Sequence, residues 1–285
     1  EGPQLPPLGH LGLSNLSVRV DEEVEAFQLD PADLPLRHQV VQGIVDPQLH
    51  ARLQLGVGLP SRRLSHHGHE RGTKRSHPGE AHLAVRRDGK FVTEAVDPEK
   101  DAGMAISFLL DAKDQPHIAY LDFGKFDLKY ATKEAGKYRV DRVDEQGWTG
   151  DMPSLVVDPE GNPTIAFMKR DDQGMIPMSV RLATRTGGKW QIETVEEGPG
   201  VGMQPVLKRD AKGRLHLVYQ DQRAKTLRYA VREPGGAWKK TNLPISDLSA
   251  EIEPGRFSTA LGTDGLLRLA CWTSTALHYR VLSPP

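Results

Sequence analysis

The sequence predicts an all-β fold built from repeated four-stranded units, and three observations carry that prediction. A Gly-Lys-aromatic motif returns as GKF at Gly89 to Phe91, GKY at Gly136 to Tyr138, GKW at Gly188 to Trp190 and, varied, GAW at Gly236 to Trp238, with aromatics 47, 52 and 48 residues apart. Five positions on from each aromatic stands an aliphatic residue, Val96, Val143, Val195 or Leu243. Between these motifs a turn phrase recurs, with apolar stretches on both sides of it. A period near 50 residues signals blades or solenoid coils.

Each unit is justified strand by strand. The first strand is the apolar stretch before the turn: MAISFLLD, MPSLVVD, MQPVLKRD and FSTALGTD. The turn reads DAKDQP from Asp111, DPEGNP from Asp158, DAKGRL from Asp210 and, degenerate, GTDGLL from Gly262. An acid followed three residues on by Gly or Asp closes a tight turn, because these residues tolerate left-handed angles and Asp bonds its own turn amides. The alternating run behind it, Ile118 with Tyr120 or Leu217 with Tyr219, is the second strand. The third is LKYAT at Leu128, RLATR at Arg181, LRYAV at Leu227 and LHYRV at Leu277, and the Gly-Lys-aromatic segment is the fourth. Four short antiparallel strands in about 50 residues form one blade of a β-propeller.

The chain ends inside the third strand of the last unit, so a ring would be closed by a strand from the N-terminal part, removing two sheet edges. Two arrangements are open. Four blades result if Asp88 to Asp97 is the closing strand. Five result if NLSVRVD at Asn15, VEAFQLD at Val24 and HLAVRR at His82 are remnants of a further blade, and five is preferred because a third strand ahead of Asp88 is otherwise redundant. The expected division is an N-terminal degenerate blade with its closing strand over 1–97, then blades at 98–144, 145–196, 197–245 and 246–285. Residues 43–81 lack alternating hydrophobicity and are expected to be a disordered or loosely attached insertion.

Composition narrows the function classes. Formal charge is -1, with 37 basic against 38 acidic residues, so no global field favours nucleic acid. No apolar run approaches the length of a membrane span. Cys271 is the single cysteine, which excludes an intrachain disulfide and a cysteine-based zinc site. No cofactor or metal site is expected, and the His66, His67 and His69 cluster is assigned to adventitious binding. Oligomeric state is left open.

Candidate binding residues lie on the loops that emerge together at one mouth, those joining the fourth strand to the next unit and those joining strands two and three. The first set has constant length, seven residues from Val96 to Gly103, Val143 to Gly150 and Val195 to Gly202. Asp122, Asp144, Trp148, Arg170, Asp171, Asp221 and Arg223 are the expected ligand-binding residues: carboxylates accept from hydroxyls, arginines steer charge, and Trp148 offers a ring face to a sugar. No acid/base pair can be assigned, so no catalytic residue is named. The preferred function is a non-enzymatic recognition module for a polar ligand, with glycan ahead of protein; a glycan- or ester-processing hydrolase or lyase and a structural propeller are the alternatives. His117 and His216 share one repeat position toward the opposite face and are expected to serve turns.

The phrase D-x-x-G-x-P-H-I-A-Y with LKYAT and GKW resembles the repeats of exported bacterial β-propeller proteins, related in architecture to sialidase-like and lectin propellers. The resemblance covers roughly Asp88 to the end and implies architecture, and with it a secreted or periplasmic setting. It implies no activity. Leu109, Val156 and Lys208 stand two before the turn acids, where sialidase Asp boxes have Ser or Thr, and the dipeptides of WD repeats are absent.

Overall fold

A computed structural model describes residues 40–45, 81–87, 90–99, 101–243, 257–272 and 277–284. Among them are five sheets in chain order. The first joins β1 (Val40–Val45), β2 (Ala81–Arg87) and β3 (Lys90–Asp97). The second joins β4 (Ala102–Leu110), β5 (Pro116–Asp122), β6 (Asp127–Glu134) and β7 (Lys137–Asp144). The third comprises β8 (Asp151–Val157), β9 (Pro163–Arg170), β10 (Pro177–Thr186) and β11 (Lys189–Glu197). The fourth comprises β12 (Val201–Arg209), β13 (Leu215–Asp221), β14 (Thr226–Arg232) and β15 (Trp238–Leu243), and the fifth β16 (Phe257–Leu261), β17 (Leu267–Trp272) and β18 (Leu277–Leu282). Sheets two to four are antiparallel throughout, neighbours in sequence pairing in space.

The turn acids act as expected from sequence. Asp111 Oδ1 accepts from the amides of Lys113 and Gln115, both at 2.8 Å, and Asp210 Oδ1 from those of Lys212 (3.0 Å) and Arg214 (2.8 Å). The first strand of each four-stranded sheet carries a bulge, with positive φ at Ala105, Met152 and Gln204. Beside it sits a repeated glycine whose side of the chain presses on the preceding sheet. A Cβ on Gly150 would lie 2.6 Å from Leu128 Cα, and one on Gly202 2.6 Å from the Ser179 carbonyl. The bulges align Met104 and Met203 with Asp151, so Met152 falls one place out of the methionine column that the sequence alone displays.

Consecutive sheets pack face to face, and each of four apolar clusters lies between one sheet and the next. Ile118 and Tyr120 meet Leu83 and Val96, Tyr130 meets Leu155 and Ile165, Leu182 meets Leu207 and Leu217, and Tyr229 meets Phe257 and Leu269. A polar clamp repeats at three of the junctions. Glu94 Oε2 accepts from Lys133 Nζ (2.7 Å) and Tyr138 Oη (3.3 Å); Asp141 Oδ2 accepts from Trp190 Nε1 (3.1 Å) and lies 3.5 Å from Arg185 Nε. Glu193 pairs with Arg232, whose guanidinium lies 4.8 Å above the Trp238 ring. The recurring aromatic of the Gly-Lys-aromatic motif is therefore one arm of an acid-cation-aromatic bridge between sheets.

The ends depart from the regular pattern. β1 pairs parallel to β2, unlike the antiparallel units expected, and the first sheet has three described strands. Gly43 to Val45 belong to β1; the rest of the expected insertion up to Glu80, and the segments at Asn15 and Val24, lie outside the described residues. β18 is an edge strand with Tyr279 and Val281 exposed, and the described sheets do not close into a ring. At the clamp positions of the last junction stand Thr241 and Leu282, so this junction lacks the bridge. Among the described residues no helix is long and apolar enough to cross a membrane.

Candidate functional site

The β5–β6, β9–β10 and β13–β14 hairpin ends meet the loops that follow β3, β7 and β11, where the amides of Phe123, Arg170 and Gln222 donate to the carbonyls of Asp101, Trp148 and Gly200. At each of three junctions the acid ending a fourth strand reaches into the next sheet and finds a cation on its third strand. In the second sheet Lys129, 1% exposed, places Nζ 3.0 Å from Asp97 Oδ2, 2.8 Å from Glu99 Oε2 and 2.9 Å from Asp122 Oδ2, while Tyr120 Oη donates to Asp97 at 2.7 Å. In the fourth sheet Arg228 pairs with Glu196 (2.6 Å) and Asp221 (2.7 Å), and Tyr219 donates to Glu196. In the third sheet Arg181 pairs, among the described residues, with Asp144 alone, at 3.2 Å, and Phe167 replaces the tyrosine.

The electrostatics follow from these contacts. Hydrogen bonds from Lys129 and Lys125 hold the Glu99 carboxyl down to about 2. Lys129 remains charged despite burial, because the three carboxylates hold its proton more firmly than desolvation expels it. Burial pushes the Asp127 carboxyl up, with Glu145 and Asp122 adding to the effect.

The sequence-selected residues are distributed as follows. Asp122, Asp144 and Asp221 are buried: each caps its loop, through the amides of Gly124, Gln146 and Ala224, and each pairs with a strand-three cation, the buried Lys129 or the partly buried Arg181 and Arg228. Asp171 accepts from the amides of Met175 (2.7 Å) and Ile176 (3.2 Å) and shapes the β9–β10 loop; these bonds lower its carboxyl pKa. Arg170 grips Asp151 Oδ2 through Nε (2.9 Å) and Nη2 (2.7 Å). Arg223 is exposed and has no side-chain partner among the described residues.

Trp148 is not placed with a free ring face. Phe126 stacks on one side at a centroid distance of 3.4 Å, and Gly174 backs the other so closely that a Cβ there would lie 2.4 Å from the indole. The ring wedges the loops of the second and third sheets together, leaving its edge to solvent. Beyond it the β9–β10 loop presents Met175 and Ile176, 65% and 47% exposed.

Sequence reasoning missed the strand-three cations Lys129, Arg181 and Arg228, although the signal was present: the residue after the leading aliphatic of LKYAT, VRLATR and LRYAV is basic every time. It also missed Asp151 and the exposed Met175 and Ile176. At the opposite face His117 Nδ1 bonds with Tyr130 Oη (2.5 Å) above Asp111, and His216 Nδ1 with Tyr229 Oη (2.7 Å) above Asp210. Both histidines are buried in the junctions, where no ligand reaches them. Among the described residues no group of three or more His, Cys, Asp or Glu side chains is placed to hold a metal ion.

No family model matches the chain, and no curated protein matches it. Among solved structures the chain is similar to a protein of unknown function from Dyadobacter fermentans DSM 18053, at 13% identity over 63% of this chain and 62% of that one, with a TM-score of 0.42. It is similar to an α-L-arabinofuranosidase from Clostridium thermocellum ATCC 27405, at 10% identity over 60% of this chain and 61% of the other, TM-score 0.40. A fucose-specific lectin from Aleuria aurantia aligns at 12% identity over 68% of this chain and 67% of the lectin, TM-score 0.43. The chain thus spans less than two thirds of the length of the first two, and each likeness is one of strand arrangement with a TM-score below 0.5.

Proposed function

We propose that the chain is a recognition module of the propeller type, with an N-terminal unit ending at Asp97 and four units at 98–144, 145–196, 197–245 and 246–285, which binds a glycan on the loop face of its third sheet. One observation carries this reading: the third sheet departs from its own repeats where the loops emerge. Trp148 stands where the neighbours have Asp101 and Gly200, Asp151 replaces Met104 and Met203, and Lys169 replaces Asp122 and Asp221. The β9–β10 loop is also longer than its counterparts and exposes Met175 and Ile176. At the other end of the same sheet the repeats vary too, with Thr164 and Leu182 for the His-Tyr pair, Glu160 for Lys113 and Lys212, and Thr186 for Glu134 and Glu233, but none of these is an exposed large apolar side chain. Departures from a self-consistent pattern gather at functional sites. A sugar ring is amphipathic, and Met175, Ile176 and the Trp148 edge offer it an apolar strip bordered by Arg170, Asp171 and Asp172.

The carboxylates chosen from sequence favour binding over turnover, because Asp122, Asp144 and Asp221 are committed to turns and to ion pairs with Lys129, Arg181 and Arg228. A glycan array tests the proposal, followed by titration of the selected sugar into Met175→Ser/Ile176→Ser. Loss of the exposed strip is expected to weaken binding about tenfold or more with melting unchanged. Binding retained in full by this variant would remove the third-sheet loops from the site. The hydrolase or lyase reading draws on Asp127, whose raised pKa suits a general acid; product formation abolished by Asp127→Asn would establish it.

A further inference from the structure

We infer that Lys169 and Arg181 form an oxyanion-binding site, so that the ligand of the third sheet carries a carboxylate or sulfate group. The inference deepens the glycan reading and rests on it for the source of the anion. Its basis is a charge inversion within the repeated node. Position by position, the second sheet sets Asp97, Glu99 and Asp122 around Lys129, and the fourth sets Glu196 and Asp221 around Arg228. The third sheet sets Asp144 against Arg181 and puts Lys169 where the other two have an aspartate. Two cations face one carboxylate.

The geometry brings the two cations together. Arg181 pairs across the strands with Phe167, and Lys169 with Ser179, two rungs apart on the β9–β10 ladder and so diagonal neighbours on one face. Phe167 and Ala183 pack toward the second sheet, so Lys169 and Arg181, two residues away on their strands, lie on that same face. Arg181 makes one ion pair where Lys129 makes three, and its Nε is buried without a partner. Lys169 is half-buried, next to the mouth, with no side-chain partner among the described residues.

The other charges near the mouth do not cancel the pair. Arg170 and Asp151 neutralise each other, and Asp171 spends Oδ1 on the Met175 and Ile176 amides. Asp172 is exposed on the outer loop. Phe167 in place of Tyr120 and Tyr219 removes a hydroxyl that would compete for Asp144, which is instead bonded by Thr149 Oγ1 at 2.9 Å. A planar or tetrahedral oxyanion takes charge-assisted hydrogen bonds from a guanidinium edge and an ammonium, the combination presented here.

The test uses the whole chain and its Lys169→Asp variant, which restores the residue of the neighbouring repeats and is expected to fold at least as stably. Sodium sulfate is titrated at ionic strength matched with sodium chloride while melting is followed. The wild type should show a saturable Tm rise of about 3 °C at tenfold the half-saturating concentration, and the variant only the shallow unsaturable rise of an excluded salt. Oligogalacturonate, a heparin hexasaccharide and neutral maltohexaose are then compared, with one acidic sugar expected to bind the wild type at least tenfold more tightly than the variant. Equal sulfate response in both proteins, or binding of the neutral sugar with no response to any anion, would overturn the anion site; the latter leaves the glycan reading standing. Sulfate binding that depends on Lys169, with no oligosaccharide bound, supports the anion site and overturns the glycan reading.

Discussion

Replacing Lys129 by methionine keeps the unbranched apolar stem of the side chain and removes its charge from the most enclosed ion cluster among the described residues. Asp97 and Asp122, each 4% exposed or less at the side chain, would be left without their counter-ion. Breaking a buried pair in this way costs about 3–5 kcal/mol, because the remaining charges stay desolvated. Glu99 is nearly half exposed, so its lost contact adds no more than a surface pair, about 0–1 kcal/mol. For a chain of this size the sum corresponds to a fall of roughly 10 °C in Tm. Urea unfolding followed by tryptophan fluorescence measures the loss, with Lys125→Met as the control: that lysine meets Glu99 at 2.9 Å in the open and should cost under about 1 kcal/mol. Adding Asp97→Asn and Asp122→Asn to Lys129→Met should recover part of the stability by discharging the stranded acids. If Lys129→Met costs no more than Lys125→Met, the cluster does not lock the first sheet to the second and the account of the node is wrong.

Two further outcomes follow from the same contacts. Burial holds the His117 and His216 pKa values below the ordinary 6.5, so the unfolded chain takes up protons first as pH falls; stability should be full above about 6.5 and decline on acidification below it, as thermal melts between pH 7.5 and 5 would show. A flat profile across that range would mean that neither ring is desolvated. Trp148→Ala should lower stability by about 2 kcal/mol or more, measured by urea unfolding, because it empties the gap between Phe126 and Gly174; unchanged stability would show that the indole wedges nothing.

Strands two to four of the regular units were legible because their signals are local. Alternation marks Ile118 to Tyr120, and Asp111, Asp158 and Asp210 mark turns with their own carboxylates. The bulges were not legible, since Ala105, Met152 and Gln204 share a left-handed backbone without sharing a residue type that demands it. Nor was β1, whose parallel pairing to β2 follows no repeat phrase. At the candidate site the repeated acids were legible as positions along the chain but their partners were not, because Asp97 to Lys129, Asp144 to Arg181 and Glu196 to Arg228 are contacts between neighbouring repeats. Aligning the repeats reveals the basic column, and only packing joins it to the acids. Trp148 illustrates the limit: an aromatic on a loop reads as a platform until the Phe126 stack and the Gly174 backing are seen.

The central claim is that the third-sheet loops hold the ligand, and methyl NMR of the chain labelled at its six methionines tests it most directly. On titration with a sugar selected from a glycan array, the account predicts a large shift of the exposed Met175 methyl, with buried Met168 unmoved. A bound sugar that leaves Met175 unshifted while moving the Met104 or Met203 signals would contradict it.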